Sequence, residues 1–187
     1  MRIILRDVRL AFPSLWKATT PKGGGEAAFS AAFILPRTHK QLGELESAFV
    51  EIAKDKWTTK ADAVLKALKQ SDKVCLHNGD SKSEYDGFEG NWFVSARSKT
   101  RPSVFDQQRQ ELTEADGKPY SGCYVNASLE LWPQDNAFGK RINAQLRGVQ
   151  FLRNGDAFAG GARPADADEF DEISVEGTEG DGTDLTA

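Results

Sequence analysis

The residues of this chain that could do chemistry are rings and cations set apart from acids. Tyr124 and Trp132 lie at alternating positions of Gly122-Cys-Tyr-Val-Asn-Ala-Ser-Leu-Glu-Leu-Trp132, and Arg141 and Arg147 bracket Arg-Ile-Asn-Ala-Gln-Leu-Arg. From Lys140 to Arg153 there are four basic residues and no acid. A second stretch, Asn91 to Val104, carries Trp92, Arg97, Lys99 and Arg101, again without an acid. Flat rings stack on unpaired bases and cations neutralise phosphates, so the chemistry is non-covalent binding of single-stranded nucleic acid. In that reading Trp92, Tyr124 and Trp132 stack on bases, while Arg97, Lys99, Arg101, Lys140, Arg141 and Arg147 meet phosphates. Aromatic residues also favour strands and fill small cores, so each ring has an equally good structural use.

Other chemistries find little support. Cys75 and Cys123 are the only cysteines and form no CxxC pair, which suits reduced structural thiols. His39 and His77 have no ligand neighbours at metal-binding spacing, so no metal, cofactor or catalytic residue is expected. The acids Asp80, Glu84, Asp86 and Glu89 lack the spacing of a calcium loop and enclose Lys82. Gly23-Gly24-Gly25 is not followed by the Lys-Ser/Thr of a phosphate loop.

The elements that must position these groups are mostly strands. Val125, Ala127, Leu129 and Leu131 alternate with Tyr124, Asn126, Ser128, Glu130 and Trp132. Ile142, Ala144 and Leu146 alternate with Arg141, Asn143, Gln145 and Arg147. Period-two alternation in two adjacent runs predicts a long β-hairpin with one buried and one displayed face. The alternation slips phase at Gly148, which predicts a bulge or sharp coil. Arg2–Leu10 reads as a strand stopped by Phe12-Pro13, and Ser14–Glu26 as a loop. Ala27–Leu35 reads as a strand buried on both faces. A helix capped by Thr38, with Gln41 at the capping-box position, carries the stripe Leu42, Leu45, Phe49, Ile52. A second helix spans about residues 59–70, Val74–Phe88 reads as a surface loop, and Asn91–Ser98 as a strand.

Charge is distributed unevenly. Residues 165–187 hold nine acids and no base, so residues 1–164 keep 24 bases against 19 acids and a net charge of +5, although the whole chain is −4. A basic body with an acidic appendage points to a nucleic-acid partner. Residues 1–164 are therefore read as one domain and 165–187 as a disordered acidic tail, too poor in apolar residues to fold. No apolar run is long enough to cross a bilayer, and the N-terminus shows no signal-peptide pattern, so a cytoplasmic protein is expected.

These segments together resemble a phage family of single-stranded-DNA-binding proteins, formerly a domain-of-unknown-function family. The matching residues are Val8-Arg-Leu-Ala-Phe12-Pro13, Ser95-Ala96-Arg97-Ser98 with Arg101-Pro102, Gly122-Cys-Tyr-Val-Asn-Ala-Ser128 and Leu146-Arg-Gly-Val-Gln-Phe151. Ala157-Phe158-Ala-Gly-Gly161 and Ala165-Asp166-Ala-Asp168-Glu-Phe170 match as well. The family is similar to the replication single-strand binders of lytic phages. The resemblance implies a mainly β fold, a five-stranded OB-type barrel, here with a helical insertion after the second or third strand. It further implies sequence-tolerant binding and protection of single-stranded DNA in phage replication or recombination, with no bond made or broken. The acidic tail would modulate binding or recruit replication or recombination proteins. Those relatives end their tails in an aromatic residue, whereas this chain ends Asp184-Leu-Thr-Ala187. A phage interaction or structural protein acting through its tail, or a metal-dependent nuclease, remain the alternatives, and a homodimer stays open.

Overall fold

In the computed structural model, residues 1–159 are described. The expected tail, 165–187, lies outside them. The elements are β1 (Arg2–Thr19), β2 (Ala28–Pro36), α1 (Leu42–Trp57), α2 (Ala61–Gln70), β3 (Leu76–Asn78), β4 (Asn91–Ser98), β5 (Ser103–Phe105), β6 (Tyr124–Asn136) and β7 (Gly139–Arg153). The pairings β1–β2, β2–β4, β7–β6 and β6–β1 are antiparallel, and a parallel bridge between Arg97 and Gln145 joins β4 to β7. That bridge closes a five-stranded barrel, β1-β2-β4-β7-β6, with the antiparallel-plus-one-parallel order of an OB fold. The short strands β3 and β5 lengthen the sheet beside β4 and β7.

The β6–β7 hairpin forms as its alternation predicts. Val125, Ala127, Leu129 and Leu131 of β6 and Ile142, Ala144, Leu146 and Val149 of the neighbouring β7 all turn to the interior and are buried. The register shifts between Ser128, opposite Gly148, and Leu129, opposite Leu146, so Arg147 is the extra residue of a bulge. Gly148 sits where a Cβ would come 3.1 Å from the Ser103 carbonyl, so the bulge also lets β5 approach.

Three expectations need correction. Phe12-Pro13 does not end the first strand, which runs on to Thr19. Pro13 falls in the register break between Ala11 and Ser14, where the ladder asks no hydrogen bond of it. A second break between Leu5 and Val8, with Asp7 at φ 55°, changes which parity faces inward, so Ile3 and Leu5 are buried while Ile4 is exposed. The first helix starts at Leu42 rather than after Thr38. Gln41 holds its N-cap position without capping it, because its side chain donates to the Ile4 carbonyl (2.8 Å) and accepts from Arg6 N–H (2.7 Å). Finally, the Val74–Phe88 loop contains β3 and a 3-10 turn, Gly79–Lys82, and Phe88 is buried.

β2 is buried on both faces, as its composition predicts. Ala31, Phe33 and Leu35 join the barrel core, into which α1 and α2 send Leu45, Phe49, Ile52, Leu65 and Leu68. On the other face Ala32 and Ile34 join Ala11, Phe88, Phe93 and Phe158 in a second apolar cluster outside the barrel. The sheet face beside the β4–β7 closure is thus partly covered and partly open.

Candidate nucleic-acid interface

Strand β4 alternates strictly. Val94 and Ala96 point into the core, so Phe93, Ser95 and Arg97 point outward. The closing bridge sets Arg97 beside Gln145 of β7, whose outward residues are Arg141, Asn143 and Gln145. Across the hairpin, Trp132 stands opposite Asn143 and Gln134 opposite Arg141. The loop after β1 supplies the other wall through Glu26 and Ala27. The result is an open groove along the closure, lined by Arg97, Lys99, Trp132 and Arg141.

The charges in this groove are held differently. Lys99 is ion-paired with Glu26, and that hydrogen bond and charge keep the Glu26 carboxyl below the usual range. Arg97 donates to the Glu26 main-chain carbonyl at 3.0 Å. Arg141 is half-buried, yet its side chain makes no hydrogen bond or ion pair among the described residues. Trp132 is 41% exposed, a large apolar surface left in water. Asn143 donates to Gln134 at 3.0 Å, an amide pair on the floor.

A second groove continues the first, sharing Ser95 and Arg97 with it. It is aromatic. Phe12, with φ 48°, is turned outward at the β1 irregularity and is 48% exposed. Its ring stacks on Phe88 at 5.5 Å and meets the edge of Tyr85 at 5.0 Å. The Lys82 ammonium lies 5.8–5.9 Å from the Phe12, Tyr85 and Phe93 ring centres. A cation over rings on an open sheet face suits stacking of bases beside a phosphate. The sequence reading missed Phe12, Tyr85, Phe93 and Lys82 as a group, because Phe12 lies far in sequence from the stretch 82–93 that carries the others. Phe138, at the β6–β7 turn, was missed too. It is 90% exposed, and such exposure of a large ring is the signal a structure supplies and a sequence does not.

The remaining anticipated residues are spread over the surface. Tyr124 is eight residues from Trp132, about 26 Å along an extended strand. Its ring lies between the guanidiniums of Arg153 (4.0 Å) and Arg9 (5.7 Å). Trp92 sits under Arg37 at 5.2 Å, beside a hollow next to α2. Arg101 covers Trp16 at 5.2 Å. Lys140 pairs with Asp135 at 2.8 Å and Arg147 with Glu130 at 2.7 Å. Of the nine anticipated residues, the fold therefore brings Arg97, Lys99, Trp132 and Arg141 together and leaves the other five apart. Among the described residues, no three His, Cys, Asp or Glu side chains gather as a metal site, and no helix is long and apolar enough to cross a membrane.

The chain is similar to several known proteins. The model of the family described as Enterobacter phage Enc34, ssDNA-binding protein, matches residues 1–181. Protein p50 of Acyrthosiphon pisum secondary endosymbiont phage 1 is 43% identical over 178 residues, covering 94% of this chain and 95% of the relative. The solved structure of the single-stranded DNA-binding protein from bacteriophage Enc34 in complex with ssDNA matches at a TM-score of 0.70 and 26% identity, over 83% of this chain and 88% of that one. A C-terminal truncation of the same Enc34 protein matches at 0.68 and 30% identity, over 84% and 88% of the two chains. The gp2.5 single-stranded DNA-binding protein of bacteriophage T7 shares the fold, at a TM-score of 0.54 and 12% identity, over 92% of this chain and 98% of that one.

Proposed function

The chain belongs to the family of the phage Enc34 ssDNA-binding protein, and from that premise we propose that it binds and protects single-stranded phage DNA along the groove over the β4–β7 closure. One observation carries the reading. The barrel closes so that Arg141, with no side-chain partner among the described residues, Arg97, Lys99 and an exposed Trp132, drawn from three strands and a loop, line one open channel. OB folds hold oligonucleotides on this side of the barrel, between the loop joining their first two strands and the loop joining their last two. Those loops here are residues 20–27 and the turn carrying Phe138. Arg97, Lys99 and Arg141 take phosphates, and Trp132 stacks on a base. The strand continues past Ser95 toward Lys82 and the Phe12 ring. Binding makes or breaks no covalent bond and is tolerant of sequence, because phosphates and ring faces are common to all bases.

The acidic residues 165–187 extend the proposal. Nine carboxylates tethered to a basic body compete with DNA for that body, and once displaced they are free to meet basic surfaces on replication or recombination proteins. Anisotropy titrations of the full chain with single- and double-stranded oligonucleotides over a range of salt test the core of the reading. Preference for single strands, with log K falling against log salt by roughly 2 to 3.5 for three to five phosphate contacts, is expected. A slope near zero overturns it.

A further inference from the structure

Where the two grooves meet, the sheet displays a hydrogen-bonded chain that the binding reading does not use. His77 Nδ1 lies 2.7 Å from Asp72 Oδ1, and His77 Nε2 lies 3.0 Å from Ser95 Oγ. The imidazole is fixed from all sides. Its strand pairs it with Phe93, on whose ring it stacks at 5.0 Å and 30°. Its side chain is only 14% exposed, whereas the Asp72 side chain is 70% exposed. Ser95 and Arg97, next but one to each other on β4, are both shared by the cationic groove and the aromatic groove.

The proton positions follow from the partners. A carboxylate only accepts, so neutral His77 must carry its proton on Nδ1 and give it to Asp72. Nε2 then accepts, and the Ser95 hydroxyl spends its one proton on the ring. A phosphate arriving at Ser95 finds only lone pairs. If His77 takes up a proton, Nε2–H donates to Ser95 Oγ, and the hydroxyl proton is released to turn outward. The site then offers an O–H donor backed by a cation, beside the Arg97 guanidinium. Ser95, His77 and Asp72 also match the hydrogen-bond order of a hydrolytic triad. The Ser95 N–H, however, is committed to the Cys75 carbonyl at 3.0 Å in mid-strand, so it is no oxyanion donor.

We infer that Ser95 and His77 form a phosphate subsite at the junction of the two grooves, which binds one backbone phosphate of single-stranded DNA together with a proton. The other charges around it are accounted for. Asp72 reaches the ring from the turn after α2, and Lys69 and Glu46, paired with each other, share a hollow with Asp72. Lys82 approaches Phe93 from the 3-10 turn, and Glu26, Lys99 and Arg141 line the cationic groove. Cys75, in the same groove, is buried and its thiol is pushed up to about 12, so it stays neutral. Histidine is the side chain type whose charge ordinarily changes near neutral pH, and this sets the range of the test.

The inference rests on the groove being the DNA path, and the experiment separates the two. Affinity of the full chain for an oligothymidylate is measured at fixed salt from about pH 6 to pH 8, for wild type, Ser95→Ala, His77→Gln and Asp72→Asn. Calorimetry of the wild type in two buffers of different ionisation enthalpy reads proton uptake without any variant. Wild-type affinity is expected to fall roughly threefold to tenfold over that range, with net proton uptake on binding, since one coupled proton gives at most a factor of about ten per pH unit. His77→Gln and Ser95→Ala should remove the pH dependence while keeping the salt dependence. Asp72→Asn should alter the midpoint or flatten the profile. A pH dependence that survives in His77→Gln, or buffer-independent binding enthalpies in the wild type, overturns the subsite and leaves the groove reading intact. A wild type that does not bind single strands at all overturns both.

Discussion

Arg141 and Lys99 illustrate how much a residue's partners decide. Both line the groove, but Lys99 must release Glu26 before it meets a phosphate, whereas Arg141 has no partner among the described residues to give up. Arg141→Ala should therefore cost more affinity than Lys99→Ala, and each lost phosphate contact should lower the salt slope by about 0.7. Paired titrations at two salt concentrations check both statements. Trp132→Ala should weaken binding by about 1–3 kcal/mol without changing the slope, because stacking releases no counterions. Tyr124 provides a contrast. Its ring is held between Arg153 and Arg9 and lies against Gly155, far from Trp132 on the same strand. Tyr124→Ala is expected to lower the melting temperature, by about 1–2 kcal/mol of stability, and to leave affinity near wild type. Lost affinity at unchanged melting temperature would instead make that ring a second stacking surface.

At the scale of elements, the barrel depends on irregularities as much as on strands. The segment before β6 shows this. Gly122 adopts φ 104°, and a Cβ there would sit 2.2 Å from the Asp156 carbonyl oxygen. Its N–H donates to the Leu10 carbonyl at 2.8 Å, and its own carbonyl accepts from Arg9 Nε at 3.0 Å. One residue thus ties β1 to the segment after β7. Gly122→Ala combines a disfavoured dihedral with a backbone clash and should destabilise the protein by at least about 2 kcal/mol in denaturant melts. The turn end of the β6–β7 hairpin is tied differently. Asp135 accepts from Trp57 Nε1 at the end of α1 and from Lys140, each at 2.8 Å. The helical insertion therefore braces the arm that carries Trp132 and Arg141.

For the whole molecule, charge is the quantity that matters. Lys140 and then Trp57 hydrogen-bond Asp135, Arg147 hydrogen-bonds Glu130, and Thr113 hydrogen-bonds Asp116, so all three carboxyls are held below their ordinary values. Depressed folded-state values mean these groups add stability above the ordinary carboxylate range, and that stability is lost as pH falls through it. The melting temperature should hold steady from neutral pH to about pH 5 and drop below about pH 4, and Asp135→Asn should make the drop shallower. Removing residues 165–187 takes away nine negative charges and should tighten DNA binding at low salt, with the gain shrinking as salt rises. Equal affinity of the two forms at low salt would refute competition by the tail.

The local periods of this chain were open to reading from sequence. Alternation along β6 and β7, the phase slip at Gly148 and the helical stripe Leu45, Phe49, Ile52 are each set within a few residues by backbone geometry and burial. The resemblance, carried by short motifs spread over almost the whole described chain, pointed to the barrel. Tertiary structure alone decided the site. Arg97 and Gln145 are far apart in sequence and meet only because β4 and β7 close the barrel, and Ser95 meets His77 only because β3 pairs beside β4. The phase switch at Asp7 and the outward turn of Phe12 go with positive φ angles of 55° and 48°, which the residue types there do not announce. Periodicity can place a side chain on a face, but which faces adjoin depends on contacts between distant segments, and no local pattern encodes those.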